Sequence, residues 1–161
     1  MSVFLPGQSS DDGFAYLTTL YLTDNFVELG DGGGGVEYPA GVRFVNVAIP
    51  KNATILTAKL TLQAYDTRTN TVCNVKIKGE DVDDAATFST YANFAARART
   101  TQYVNWDAIP AWTANTDYDS PDIKNIIQAI ISRAGWVSGN NLVLFFTNNV
   151  EGLSGQNRRI Y

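Results

Sequence analysis

No segment restricts the fold as sharply as residues 120–139, Ser-Pro-Asp-Ile-Lys-Asn-Ile-Ile-Gln-Ala-Ile-Ile-Ser-Arg-Ala-Gly-Trp-Val-Ser-Gly. Ile123, Ile126, Ile127, Ile130 and Ile131 recur at the i, i+3, i+4, i+7, i+8 spacing of one buried helical stripe. Ser120 suits the N-cap, and Pro121 suits the first helical position, where no hydrogen bond is lost. Asp122 suits the positive end of the helix dipole. Arg133 falls in the last turn, and Gly135 suits a left-handed C′ residue. The spacing predicts one helix over about residues 121–134. β-Branched isoleucine is only a fair helix former, so such a helix must be held by burial against a sheet.

The rest of the chain reads as strands that supply that sheet. Residues 13–22 crowd Phe14, Tyr16, Leu17, Leu20 and Tyr21 with threonines, and residues 25–29 continue after a bend at Asp24. Gly30-Asp31 and the glycines of 32–35 form a hairpin tip. A phosphate-binding loop would need a Lys-Ser/Thr ending and a following helix, and neither is present. Residues 41–48 make a second strand, and 49–54 a turn at Pro50. The clearest alternation follows: Leu56, Ala58, Leu60, Leu62 and Ala64 against Thr57, Lys59, Thr61 and Gln63. In residues 71–79, Cys73, Val75 and Ile77 face one way and Asn74, Lys76 and Lys78 the other. Residues 80–88 read as loop, 89–101 as a short helix or a strand, and 103–106 as a short strand. Leu142 to Phe146 are apolar on both faces, the mark of a central strand, and 157–161 make a final edge strand. Turn-separated strands with a single late helix predict an all-β chain. The form expected is an antiparallel jelly-roll β-sandwich over residues 13–161, preceded by an extended N-terminal arm, 1–12.

Charge and composition remove several functions. The 161 residues carry a net charge of −4 and a pI near 4.7, which argues against nucleic acid, since phosphate binding needs a basic patch. Histidine is absent, which removes Ser-His-Asp and Cys-His catalysis and nearly every zinc site. Cys73 is the sole cysteine, so no internal disulfide forms; its place among Val75 and Ile77 predicts a buried thiol. No apolar run reaches the roughly 18 residues of a membrane span. Residues 1–14 lack the basic and apolar regions of a secretory signal, so assembly in the cytoplasm is expected.

Few residues remain as candidates for function. Glu80, Asp81, Asp83 and Asp84 offer oxygen ligands for a structural calcium, without the register of an EF-hand; the alternative is a solvated loop. Trp106 and Trp136 read as core. Trp112, in the loop after Pro110, is the candidate to stack on a sugar ring, with core or loop anchoring as the alternative. Arg97 and Arg99 either join it in holding an acidic glycan, or pair with the acidic loop or cap a strand end. Val3, Phe4 and Leu5 give the arm an apolar anchor for assembly contacts. Paired carboxylates perform glycoside hydrolysis in other settings, but nothing in the sequence sets their separation, and no catalytic residues are expected.

An ordered series of short motifs carries a resemblance. Its first part is Arg43-Phe44, Ile49-Pro50, Ala53-Thr54-Ile55, Ala58-Lys59-Leu60, Gly79-Glu80, Asp84-Ala85-Ala86 and Phe88. It continues with Arg97-Ala98-Arg99-Thr100-Thr101, Val104, Trp106, Pro110-Ala111-Trp112, Ser120-Pro121-Asp122-Ile123, Ile127-Gln128, Arg133-Ala134-Gly135-Trp136 and Ser138-Gly139-Asn140. Over residues 41–147 the chain resembles accessory β-sandwich modules, similar to jelly-roll carbohydrate-binding domains, that occur in tailed-phage virion proteins and microbial surface proteins. It departs from their pattern at Asn52, where a turn glycine is usual. The resemblance implies a non-catalytic virion structural protein, a capsid decoration (cement) or tail-associated protein whose partners are capsid or tail proteins and copies of itself. The alternative it implies is a glycan-binding or adhesion module of a microbial surface protein.

Overall fold

The computed structural model describes residues 4, 6, 9–32, 36–69, 73–149 and 156–161. After a 3-10 turn at Ser9–Asp11 come β1 (Asp12–Tyr16), β2 (Thr19–Tyr21), β3 (Val27–Asp31), β4 (Glu37–Tyr38) and β5 (Ala40–Phe44). Then follow β6 (Thr61–Gln63), β7 (Cys73–Glu80), α1 (Tyr91–Ala96), β8 (Arg99–Ile109) and β9 (Asp117–Asp119). The chain finishes with α2 (Lys124–Ile131), β10 (Leu142–Asn148) and β11 (Asn157–Ile160). The chain is thus mostly β, and the paired strands are antiparallel throughout. A six-stranded sheet runs β2-β1-β5-β10-β7-β8, beside a three-stranded sheet β11-β3-β4 and a two-stranded sheet β6-β9.

β10 lies inside the main sheet, as its apolar run requires. Successive side chains of a strand point to opposite faces. Leu142, Leu144 and Phe146 accordingly join the larger hydrophobic cluster, and Val143 and Phe145 the smaller one. The larger cluster collects Val27 and Leu29 from β3, Leu62 from β6, Val75 and Ile77 from β7, and Ile160 from β11, closed by α2. Ile123, Ile126, Ile127, Ile130 and Ile131 are all buried, so the expected stripe is the docking face. Gly79 lets the helix come close: a Cβ there would stand 2.6 Å from Ile130 Cδ1. The smaller cluster is Ala15, Ala85, Phe88, Phe94, Val143 and Phe145, covered by α1 and the loop before it.

The ends of α2 differ from expectation for a physical reason. Ser120 does not cap the helix; its Oγ accepts from the Leu60 amide at 3.0 Å, and its own amide donates to Leu60 O at 2.8 Å. Asp122 Oδ1 accepts from both Ala58 N and Lys124 N, each at 3.0 Å. The residues that would start the helix at 121 are spent stitching it to the neighbouring extended chain, so regular helix starts at Lys124. Gly135 is not left-handed; among the described glycines, positive φ belongs to Gly30 and Gly139. A side chain at Gly135 would instead strike the Asp83 carboxylate.

The same stitching shortens the expected strand at 56–64. Only Thr61–Gln63 joins a ladder, and Leu56 is 81% exposed. The expected strand at 13–22 is a hairpin, broken by a turn in which the exposed Leu17 takes φ 54°. The short strand expected at 103–106 extends over Arg99–Ile109, accommodated by register shifts against β7. The open stretch before it resolves as a second helix, α1, where Thr90 Oγ1 accepts from Asn93 N at 3.2 Å. Asn52 takes φ 59°, the left-handed conformation that a glycine would provide and that asparagine tolerates better than most residues.

Candidate functional site

The acidic run and the Arg97–Arg99 pair, far apart in sequence, meet at one end of the main sheet. Glu80 closes β7, and Arg97 follows α1. Arg97 Nη1 donates to Glu80 Oε2 at 3.0 Å with both side chains largely buried. The same guanidinium donates to Ala86 O and Thr87 O at 2.8 and 2.6 Å and lies 4.5 Å from the Phe88 ring centroid. Arg99 stacks over Phe145 at 3.8 Å and donates to the Arg97 and Phe94 carbonyls. Burial pushes the Glu80 carboxyl above its ordinary range, with Arg97 opposing the shift. Burial likewise pulls the Arg99 guanidinium down, against the pull of Glu80.

The remaining carboxylates turn elsewhere. Arg133, just beyond α2, binds Asp83 through Nε at 2.8 Å and Asp81 through Nη1. Asp84 Oδ1 accepts from the backbone and side-chain nitrogens of Asn141, both at 2.8 Å. Glu80 is therefore held by Arg97, Asp81 and Asp83 together by Arg133, and Asp84 by Asn141. Among the described residues, no group of three or more acidic, histidine or cysteine side chains is placed to hold a metal ion. Chemically, this is a buckle: the loop after β7 is fastened at once to α1, to the turn after α2 and to the start of β10.

Trp112 lies apart from this buckle, and its reading as a sugar platform is corrected. The side chain is buried at 1% exposure, stacked on Tyr118 with centroids 4.8 Å apart and 9° between planes. Its Nε1 has no hydrogen-bond partner. Trp106 and Trp136 are buried as expected, and Trp136 Nε1 donates to Ile49 O at 3.0 Å. Of the arm, Phe4 packs against the larger cluster and Pro6 bridges to Phe44. Val3 and Leu5, with Gly33, Gly34 and Gly35 of the glycine tip, lie outside the described residues. Cys73 is fully buried, and burial lifts its thiol to about 11.

Two further places are absent from the sequence-based candidates. An open depression of about 390 Å³ lies between Gln102 of β8 and Asn125, Gln128, Ala129 and Ser132 along α2. Its Gln128 amide is already engaged, accepting from Ile55 N and donating to Ala53 O and Ser132 Oγ. The other place is the outer half of the main sheet's second face. Register sets Phe145, Lys78 and Tyr103 side by side across β10, β7 and β8, and Thr147, Lys76 and Asn105 in the next row of that face. Phe145 is roofed by Arg99 and Phe94; the roof stops there, and Tyr103 is 54% exposed. Lys76 and Lys78 lie 5.2 and 5.9 Å from the Tyr103 centroid. The polar alternation of Lys76 and Lys78 was the available signal; what hid the place was the separation of Tyr103 in sequence. Compared with known proteins, the chain matches no family model and no curated protein.

Proposed function

We propose that the protein works by contact, as a non-catalytic virion structural protein of the capsid-decoration or tail-associated kind found in tailed phages. The observation that carries this reading is how the loops are secured. Arg97–Glu80, Arg133–Asp81, Arg133–Asp83 and Arg43–Asp11, the last at 2.5 Å, fasten loop to loop and loop to sheet. Loops that serve chemistry are usually left free to carry it on a rigid scaffold. Among the described residues these loops are part of the scaffold, and on this reading the outer surface is the working part. The six-stranded sheet with smaller sheets and α2 over one face supports the finer reading of a jelly-roll sandwich, and with it the likeness to accessory modules of phage virion proteins. Partners on this reading are capsid or tail proteins and further copies of the chain.

The test is to purify particles from the source, probe them by mass spectrometry, and measure the isolated chain by light scattering. Copies in a fixed ratio to the major capsid or tail protein would support the reading. Particles lacking the chain, together with a strictly monomeric protein, would overturn it.

A further inference from the structure

We infer that the open face formed by Lys76, Lys78 and Tyr103 is a binding site for an anionic polysaccharide, one bearing carboxylate or sulfate groups. The first argument is electrostatic. In this chain of net charge −4, each of the other cationic side chains has a carboxylate or a backbone carbonyl beside it. Arg43, Arg68, Arg97, Arg133 and Arg159 pair with carboxylates, as Lys59 and Lys124 do at 3.8 Å. Lys51, Arg99 and Arg158 are turned onto backbone carbonyls. Among the described residues, Lys76 and Lys78 have no carboxylate or hydrogen-bond partner, and their ammonium groups lie 5.2 and 5.9 Å from the Tyr103 ring centroid. Two uncompensated charges next to each other on a rigid strand pair repel one another, and a bound anion relieves that repulsion.

The second argument is shape and chemistry. Residues two apart on one strand stand on the order of 7 Å apart, so the lysines meet successive anionic groups of an extended ligand rather than one. Tyr103 gives an exposed ring for the apolar face of a sugar, and Asn105 and Thr147 in the adjacent row give neutral hydrogen-bonding groups for hydroxyls. A protein partner fits less well, because lysine is depleted in protein–protein contacts. The site does not depend on whether the chain sits on a particle.

The experiment is titration calorimetry of the full chain at low salt against heparin, polygalacturonate, dextran and single-stranded oligo(dT). Binding of heparin or polygalacturonate, with little heat from dextran, is expected, and the tighter of the two names the anionic group. The Lys76→Gln/Lys78→Gln variant should bind roughly tenfold more weakly with an unchanged melting temperature. Tyr103→Phe should bind as wild type does, and Tyr103→Ser more weakly. Absence of binding to both polyanions, equal binding of dextran, tighter binding of oligo(dT), or an unaffected lysine double variant would each overturn the assignment.

Discussion

The two faces of the six-stranded sheet are closed by different physics. Over one face, α2 and the residue before it lay Ile123, Ile126, Ile127, Ile130 and Ile131 onto Val75, Ile77, Leu144 and their neighbours, a closure whose contact surface is mainly apolar. Over the other, a smaller aromatic cluster is roofed by guanidinium groups, Arg97 over Phe88 and Arg99 over Phe145. Large aliphatic burial gains roughly 25 cal/mol per Å² and is nearly indifferent to pH. The arginine roof adds cation–π contact and buried charge, which are worth having only while each charge keeps its partner. On one face a helix with an apolar stripe closes the core together with apolar side chains of β3, β6 and β11. A short six-residue helix with one buried phenylalanine, Phe94, needs an ionic buckle to hold its loop.

The strongest break in that comparison is Ile127→Asp, which buries an unpaired carboxylate under α2 and should cost about 3–5 kcal/mol. Asn125→Asp, on the exposed side of the same helix, should stay within about 0.5 kcal/mol. Equal melting temperatures for the two would refute the assignment of the docking face. Next in size is Arg97→Ala, which strands Glu80 and should cost about 3 kcal/mol. Adding Glu80→Gln should recover part of that loss, and a double variant less stable than the single one would show that the pair is not the buckle.

The third test separates the faces by pH. The folded Glu80 carboxyl titrates above its ordinary value of 4.5 because of burial. A raised value means the folded state holds the proton more tightly than the unfolded chain does. The stabilising contribution of protonation is thus complete below 4.5 and is lost as pH rises through the folded value. Melting temperatures of wild type and Glu80→Gln should diverge in that direction across the window above 4.5, whereas Ile127→Asn should run parallel to wild type over the same change. Parallel curves for Glu80→Gln would remove the charged roof from the comparison. The smallest effect is at Cys73, whose thiol is held neutral up to about 11 inside the larger cluster. At pH 8 a thiol reagent should label the native protein far more slowly than the unfolded chain, and Cys73→Ala should lower stability by about 1 kcal/mol.

What could be read in advance follows from range of interaction. The isoleucine stripe and the doubly apolar β10 are local patterns that burial enforces, and both appear where their periodicity puts them. The helix start was hidden because Ser120 and Asp122 had two uses, capping or stitching, and the choice depended on the distant segment that holds Ala58 and Leu60. Trp112 was ambiguous for the same reason: its neighbours Tyr118 and Trp106 close over it only in three dimensions. The pairing of Arg97 with the acidic run was legible as one of two readings, since opposite charges in an otherwise sparse set seek each other. The meeting of Tyr103 with Lys76 and Lys78 depends on the register of β7 against β8, including its shifts, and no local pattern encodes that register.

β10 is the strand both closures share, because Leu144 and Phe146 belong to one cluster and Val143 and Phe145 to the other. Opening either side exposes half of its side chains while the other half remains clamped. Its amide hydrogens, bonded to β5 on one side and β7 on the other, are released only when both layers have come apart. The amides of 143–146 should therefore be the last in the molecule to exchange with deuterium, with an opening free energy equal to that of global unfolding. Although its two faces are closed so differently, the sheet should melt as one unit.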